Sequence, residues 1–114
     1  MKRLIIFLCA ASKCLAALSL KEANVIANAI YKIEGGNHTK YPYGIKSINV
    51  KDSFAARTIC INTILNNHKR WIAANKPIDF LDYLANAYCP KSCDAIGNKN
   101  WKTNIHKFFP QKIH

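Results

Sequence analysis

The sequence predicts an all-α domain of about four helices behind an N-terminal export signal. Three observations predict it. Apolar residues recur at helical spacing in four separate stretches, no stretch alternates apolar and polar residues as a strand would, and the first nineteen residues read as a leader. The chain has 114 residues, half of them apolar, with only four Gly and four Pro, enough for one ordinary domain with a packed core. Multidomain enzymes and disordered or repetitive polymers are thereby excluded.

Met1, Lys2 and Arg3 form a positive start, Leu4 to Ala11 an apolar core, and Ser12 to Ser19 a mixed stretch rich in small residues, which is the pattern of a secretory signal peptide. Lys13 breaks the run short of the ~20 apolar residues that a membrane span needs. Cleavage after Ala17 or after Ser19 satisfies the small-residue requirement equally. The expected organisation is a signal peptide over residues 1–19 and a single helical domain over residues 20–114, with no stable membrane span after cleavage. Removing Lys2, Arg3 and Lys13 from the 17 basic residues leaves 14 against 6 acidic ones, a net +8 with His neutral. An exported cationic chain points to an anionic partner such as a cell-wall polymer or a membrane surface, whereas nucleic acid would fit a cytosolic one. Periplasmic or secreted localisation and a monomer are expected.

The first helix is expected over 21–34, where Ala23, Ile26, Ala27, Ile30 and Ile33 share a face and Gly35-Gly36 follows as a stop. His38 to Val50, with Tyr41-Pro42-Tyr43-Gly44 inside it, reads as loop or a few extended residues. Asp52 or Ser53 then caps a second helix through Phe54, Ile59, Ile61, Ile64 and Leu65, ending at Asn66-Asn67 or running on to Ala74. Pro77 is placed as a first helical residue, with Ile78, Phe80, Leu81, Leu84 and Tyr88 forming a third helix that stops before Pro90. Asn98 or Asn100 opens a fourth through Trp101, Ile105, Phe108 and Phe109, closed by Pro110.

Cys9 and Cys14 leave with the leader, so the mature chain keeps Cys60, Cys89 and Cys93 in an oxidising compartment. Two pairings compete: a local Cys89–Cys93 bridge across Pro90, or a bridge from Cys60 that ties the second helix to this turn. The local bridge is expected, with Cys60 a reduced, buried thiol. His38, His68, His106 and His114 form no zinc-like spacing with the cysteines, so no metal and no cofactor is expected.

Glu34 follows Ile30 by four residues and Ala27 by seven, so it continues the apolar stripe of the first helix. The negative end of the helix dipole faces it, where a cation would be the stabilising choice. A carboxylic acid on a cleft wall is what protonation of a leaving glycosidic oxygen requires. The structural alternative is a carboxylate paired with Arg57 or a Lys. Asp52 is the one sequence neighbour able to serve as a second carboxylate, and a helix N-cap explains it better. Asp79 and Asp82, one turn apart with Asp79 in the first turn of the third helix, read as structural.

Ile33-Glu34-Gly35-Gly36 followed by Tyr43-Gly44-Ile45-Lys46-Ser47-Ile48 resembles the signature of the lysozyme-like superfamily, in particular its soluble lytic transglycosylase branch. The stretches Phe80 to Pro90 and Asn98 to Ile105 resemble the C-terminal part of small phage- and bacteria-encoded members, so the likeness spans residues 22 to 108. It implies a lysozyme-like fold, peptidoglycan glycan strands as partner, Glu34 as catalytic acid and base, and Tyr43, Gly44, Ile45 and Ser47 lining the glycan cleft. Gly35 stands where these enzymes usually have Ser, and Ser47 where they usually have Gln. One Glu suffices for the implied reaction, in which the muramic acid 6-hydroxyl attacks intramolecularly to give a 1,6-anhydro sugar. Tyr43 and Tyr88 are expected to face the cleft, whereas Trp71 and Trp101 are assigned to packing. A noncatalytic, cationic wall-binding module on the same fold is the alternative.

Overall fold

Residues 18–46 and 53–114 are described by a computed structural model, in which four α-helices and two 3₁₀ turns make up the regular structure and no strand is present among the described residues. Helix α1 spans Leu20–Ile33, α2 Ser53–Ala73, α3 Phe80–Tyr88 and α4 Ala95–Phe108. The expected all-helical architecture is therefore present. The signal-peptide core, Ser47 and Asp52 lie outside the described residues.

Helix α1 begins with a capping box. The Ser19 hydroxyl accepts from the Glu22 backbone N–H at 3.0 Å, and the Glu22 carboxylate accepts from the Ser19 N–H at 3.3 Å. Its Ala23, Ile26, Ala27 and Ile30 are wholly buried, as the spacing predicts. The helix packs on α2 and α4, and α3 bridges those two. Small Ala residues on the buried face let the neighbouring helices approach α1 closely.

Helix α2 takes the longer of the two expected courses and continues through Asn66 and Asn67 to Ala73. Cys60, Ile64, Asn67, His68 and Trp71 form its buried stripe. Asn75 and Lys76 then turn the chain with φ of 66° and 50°. The indole N–H of Trp71 donates to the Ile78 carbonyl at 2.7 Å, tying this turn to the helix it leaves.

Two helix starts differ from expectation. Pro77 is not the first residue of α3: Asp79 is its N-cap, the carboxylate accepting from Leu81 N–H at 3.0 Å, so the proline lies upstream in the turn. Asp79 is thus a cap rather than a first-turn residue. Helix α4 starts at Ala95, before Asn98, because Asp94 caps it by accepting from Gly97 N–H at 2.8 Å. Asn98, 1% exposed, donates to the Cys89 carbonyl at 2.8 Å and to Asn86 Oδ1 at 3.0 Å, which locks the end of α3 to the start of α4. Phe109 and Ile113 bring the C-terminal tail back onto the core.

Cys60 is fully buried, as expected, but Cys89 and Cys93 are both free thiols, so the expected local bridge is not formed.

Candidate active site

Glu34 sits one residue beyond α1, as its C-cap, where the helix stops because Gly35 and Gly36 take φ of 105° and 58°. The Glu34 N–H still completes the helix, donating to Ile30 O at 2.9 Å. Its half-buried side chain opens into a cavity of about 290 Å³ between the end of α1, the end of α3 and one face of α4. Ile33, Tyr88, Cys89, Gly97, Asn100, Trp101 and Asn104 complete the lining.

Two neighbours fix the carboxylate. Trp101 Nε1–H donates to Glu34 Oε2 at 2.9 Å, a hydrogen bond between residues 67 positions apart. On the other side, a Cβ built on Gly44 would stand 3.1 Å from both Cδ and Oε1 of Glu34. Only glycine leaves the turn room to pass there, and φ of 70° at Gly44 is a second reason for it. No described Lys or Arg forms an ion pair with Glu34, so the alternative of a charge-paired structural carboxylate finds no partner among the described residues.

Arg57, the cation named for that pairing, works elsewhere. Its guanidinium donates to Tyr43 Oη at 3.0 Å and to Asn24 Oδ1 at 3.0 Å. Tyr43 is 6% exposed, holds a left-handed φ of 60°, and packs its ring on Tyr31 at 5.1 Å between centroids. Arg57 thereby clamps the Pro42–Gly44 turn, and the clamped turn carries Gly44 against the carboxylate. Tyr43, expected to face the cleft, is not among the residues that line the cavity. Ile45 is half-buried and packs against the core.

Tyr88 lines the cavity. Its ring stacks on Trp101 at 5.2 Å and 21°, and its hydroxyl donates to Cys60 Sγ at 3.2 Å. Burial pushes the Cys60 thiol up to about 11 and raises the Tyr88 phenol further, so both stay neutral through the physiological range. The Cys89 thiol is also raised, chiefly by desolvation, then by Asp94, Glu34 and Cys93.

The contact that spacing missed is Trp101. Its repeat with Ile105 along α4 does place it in the core, at 5% exposure, yet its indole N–H reaches the carboxylate. Asn100 and Asn104, an i, i+4 pair on the cavity face of α4, were readable as a polar stripe beside that tryptophan. Away from the cavity, Asp79, Asp82 and His106 bring three ligand-type atoms within 4.8 Å of one another. Spacing with the cysteines did not reveal this group, because its partners are aspartates at the start of α3, Asp79 as its N-cap and Asp82 in its first turn. His106 Nε2 lies 2.9 Å from Asp82 Oδ1 and 3.5 Å from Asp79 Oδ2, an exposed contact that joins α3 to α4.

No protein-family model, curated protein or solved structure matches the chain.

Proposed function

We propose that the chain is an exported peptidoglycan-cleaving glycosidase, acting as a lytic transglycosylase on the bond between muramic acid and glucosamine units. The observation that carries this reading is the Glu34 carboxylate, set in a cavity, held by the Trp101 indole N–H and closely backed by Gly44. Among the described residues no other acid lines that cavity. A two-carboxylate hydrolase needs a second acid roughly 5–9.5 Å away to act as nucleophile or to activate water. A transglycosylase does not.

In the proposed reaction the Glu34 carboxylic acid donates its proton to the glycosidic oxygen as the bond from that oxygen to the muramic acid anomeric carbon breaks. The 6-hydroxyl of the same sugar attacks that carbon, and its proton passes to the Glu34 carboxylate. The products are a free 4-hydroxyl and a 1,6-anhydro end, no water is consumed, and the enzyme returns to its starting protonation state. The Trp101 N–H bonds one carboxyl oxygen, leaving the other for the substrate. A volume of about 290 Å³ lies at the small end of ligand pockets, which suits a single saccharide at the reacting position with the strand running out along the surface.

A second reading, a noncatalytic cationic wall-binding module, draws support from one observation: no Lys or Arg among the described residues forms an ion pair with a described acid. Unpaired cations are available to an anionic polymer. Solubilisation of dye-labelled sacculi separates the two readings. The enzyme releases dye and its Glu34→Gln variant does not. The binding module releases none, and its co-sedimentation with sacculi falls steeply with salt and survives Glu34→Gln.

A further inference from the structure

We propose that Cys60 is a positioning residue for Glu34, acting across three helices through Tyr88 and Trp101. This rests on Glu34 being the reacting carboxylate. Cys60 lies on α2 with no exposed surface and is not among the residues that line the cavity. Its sulfur accepts from the Tyr88 hydroxyl at 3.2 Å, which anchors the far edge of a tyrosine that lines the cavity from α3. The Tyr88 ring stacks nearly parallel on the Trp101 indole of α4, and that indole holds Glu34 Oε2 at 2.9 Å.

Each link sets the one after it. A tyrosine without an acceptor for its hydroxyl would leave a polar group unpaired in a dry site, so the ring must tilt or slide to find another partner. A stacked indole follows the ring it lies against, and the N–H of Trp101 has a narrow angular range for a good hydrogen bond to the carboxylate. Burial keeps the thiol protonated, so the sulfur stays a weak, neutral acceptor that does not draw the phenol proton away. Cysteine between Ile59 and Ile61 is therefore more than a small core hydrophobe.

The chain has two tryptophans, so ¹⁵N-labelled protein gives two indole N–H signals, assigned with Trp71→Phe and Trp101→Phe. In Cys60→Ala the Trp101 indole signal shifts while that of Trp71 stays, and kcat on sacculi falls about three- to tenfold with KM unchanged. Cys60→Ser, whose hydroxyl accepts the same bond, restores both. Tyr88→Phe moves the Trp101 signal, and adding Cys60→Ala to it produces no further change. A Cys60→Ala protein that is folded, with a wild-type Trp101 signal and wild-type kcat, overturns the proposal, as does a Tyr88→Phe, Cys60→Ala pair whose indole shifts simply add. Should the wild type release no muropeptides, the enzymatic reading fails by itself, and the indole signals still report whether Cys60 governs the Trp101 contact.

Discussion

Replacing Gly44 by Ala tests how the turn that backs Glu34 holds the carboxylate. Alanine at φ of 70° enters the left-handed region, at roughly 1–2 kcal/mol. At roughly 4–8 °C per kcal/mol for a domain of this size, Tm should fall by roughly 5–15 °C. The new methyl would also stand 3.1 Å from Cδ and Oε1 of Glu34, so the carboxyl has to retreat by a few tenths of an ångström. A misplacement of about 1 Å can cost on the order of 100-fold in rate, so a retreat of a few tenths of an ångström should lower kcat by up to about tenfold. Gly36→Ala is the matched control. It has a similar φ of 58°, but its Cβ would meet the Tyr31 ring at an ordinary 3.5 Å rather than the Glu34 carboxylate. Calorimetry should find similar losses of Tm in the two variants. Muropeptide release, assayed well below both Tm values, should fall in Gly44→Ala alone. Equal activity in the two variants would refute the claim that Gly44 seats the carboxylate.

Three further outcomes follow from individual contacts. His68 is 3% exposed, tilted against Trp71 and edge-on to Phe80, and its Nε2 has no partner among the described residues, so burial lowers its pKa from the ordinary 6.5. The unfolded chain then binds the proton more readily, and stability that is complete above about pH 6.5 is lost as pH falls from there towards the folded value, with a slope of at most ~1.4 kcal/mol per pH unit. Urea unfolding between pH 5 and 8 should find that slope in the wild type and not in His68→Gln. Native alkylation followed by mass spectrometry should label exposed Cys93 and partly exposed Cys89 while sparing Cys60 until the protein unfolds. Modification of Cys60 at the rate of Cys93 would contradict its burial. On the proposed export, processing should leave Leu18 as the first residue, because cutting after Ser19 would remove the capping box of α1 and a contact of Leu18 with the core. Mass measurement of the exported protein distinguishes this from a start at Leu20.

Helix α1 was legible from its apolar spacing, and with it the position of Glu34 at the helix end, because Gly35-Gly36 permits no other continuation. The starts of α3 and α4 were not. Pro77 offered a plausible first helical residue, but a cap depends on which carboxylate meets the free N–H groups, and Asp79 does so two residues later. In α4 the apolar signal begins only at Trp101, since Ile96 is 75% exposed and contributes nothing to a core stripe, so the Asp94 cap was passed over. Within the candidate site, the tyrosines were legible as a cluster but not by role. Tyr43 is held below the surface by Arg57 and Tyr31, contacts separated by a loop, whereas Tyr88 reaches the cavity. The link from Trp101 to Glu34 depends on the rotation of α4 against α1, which no local pattern encodes.

Muropeptide analysis of digested sacculi tests the central claim most directly. Purified sacculi treated with the wild type should yield soluble fragments whose masses carry 1,6-anhydro muramic acid ends, 18 mass units below the hydrolysed forms by the loss of one water, and Glu34→Gln should yield none above background. Fragments ending in reducing sugars would replace transglycosylation with hydrolysis, and equal release by the wild type and Glu34→Gln would remove Glu34 from the chemistry.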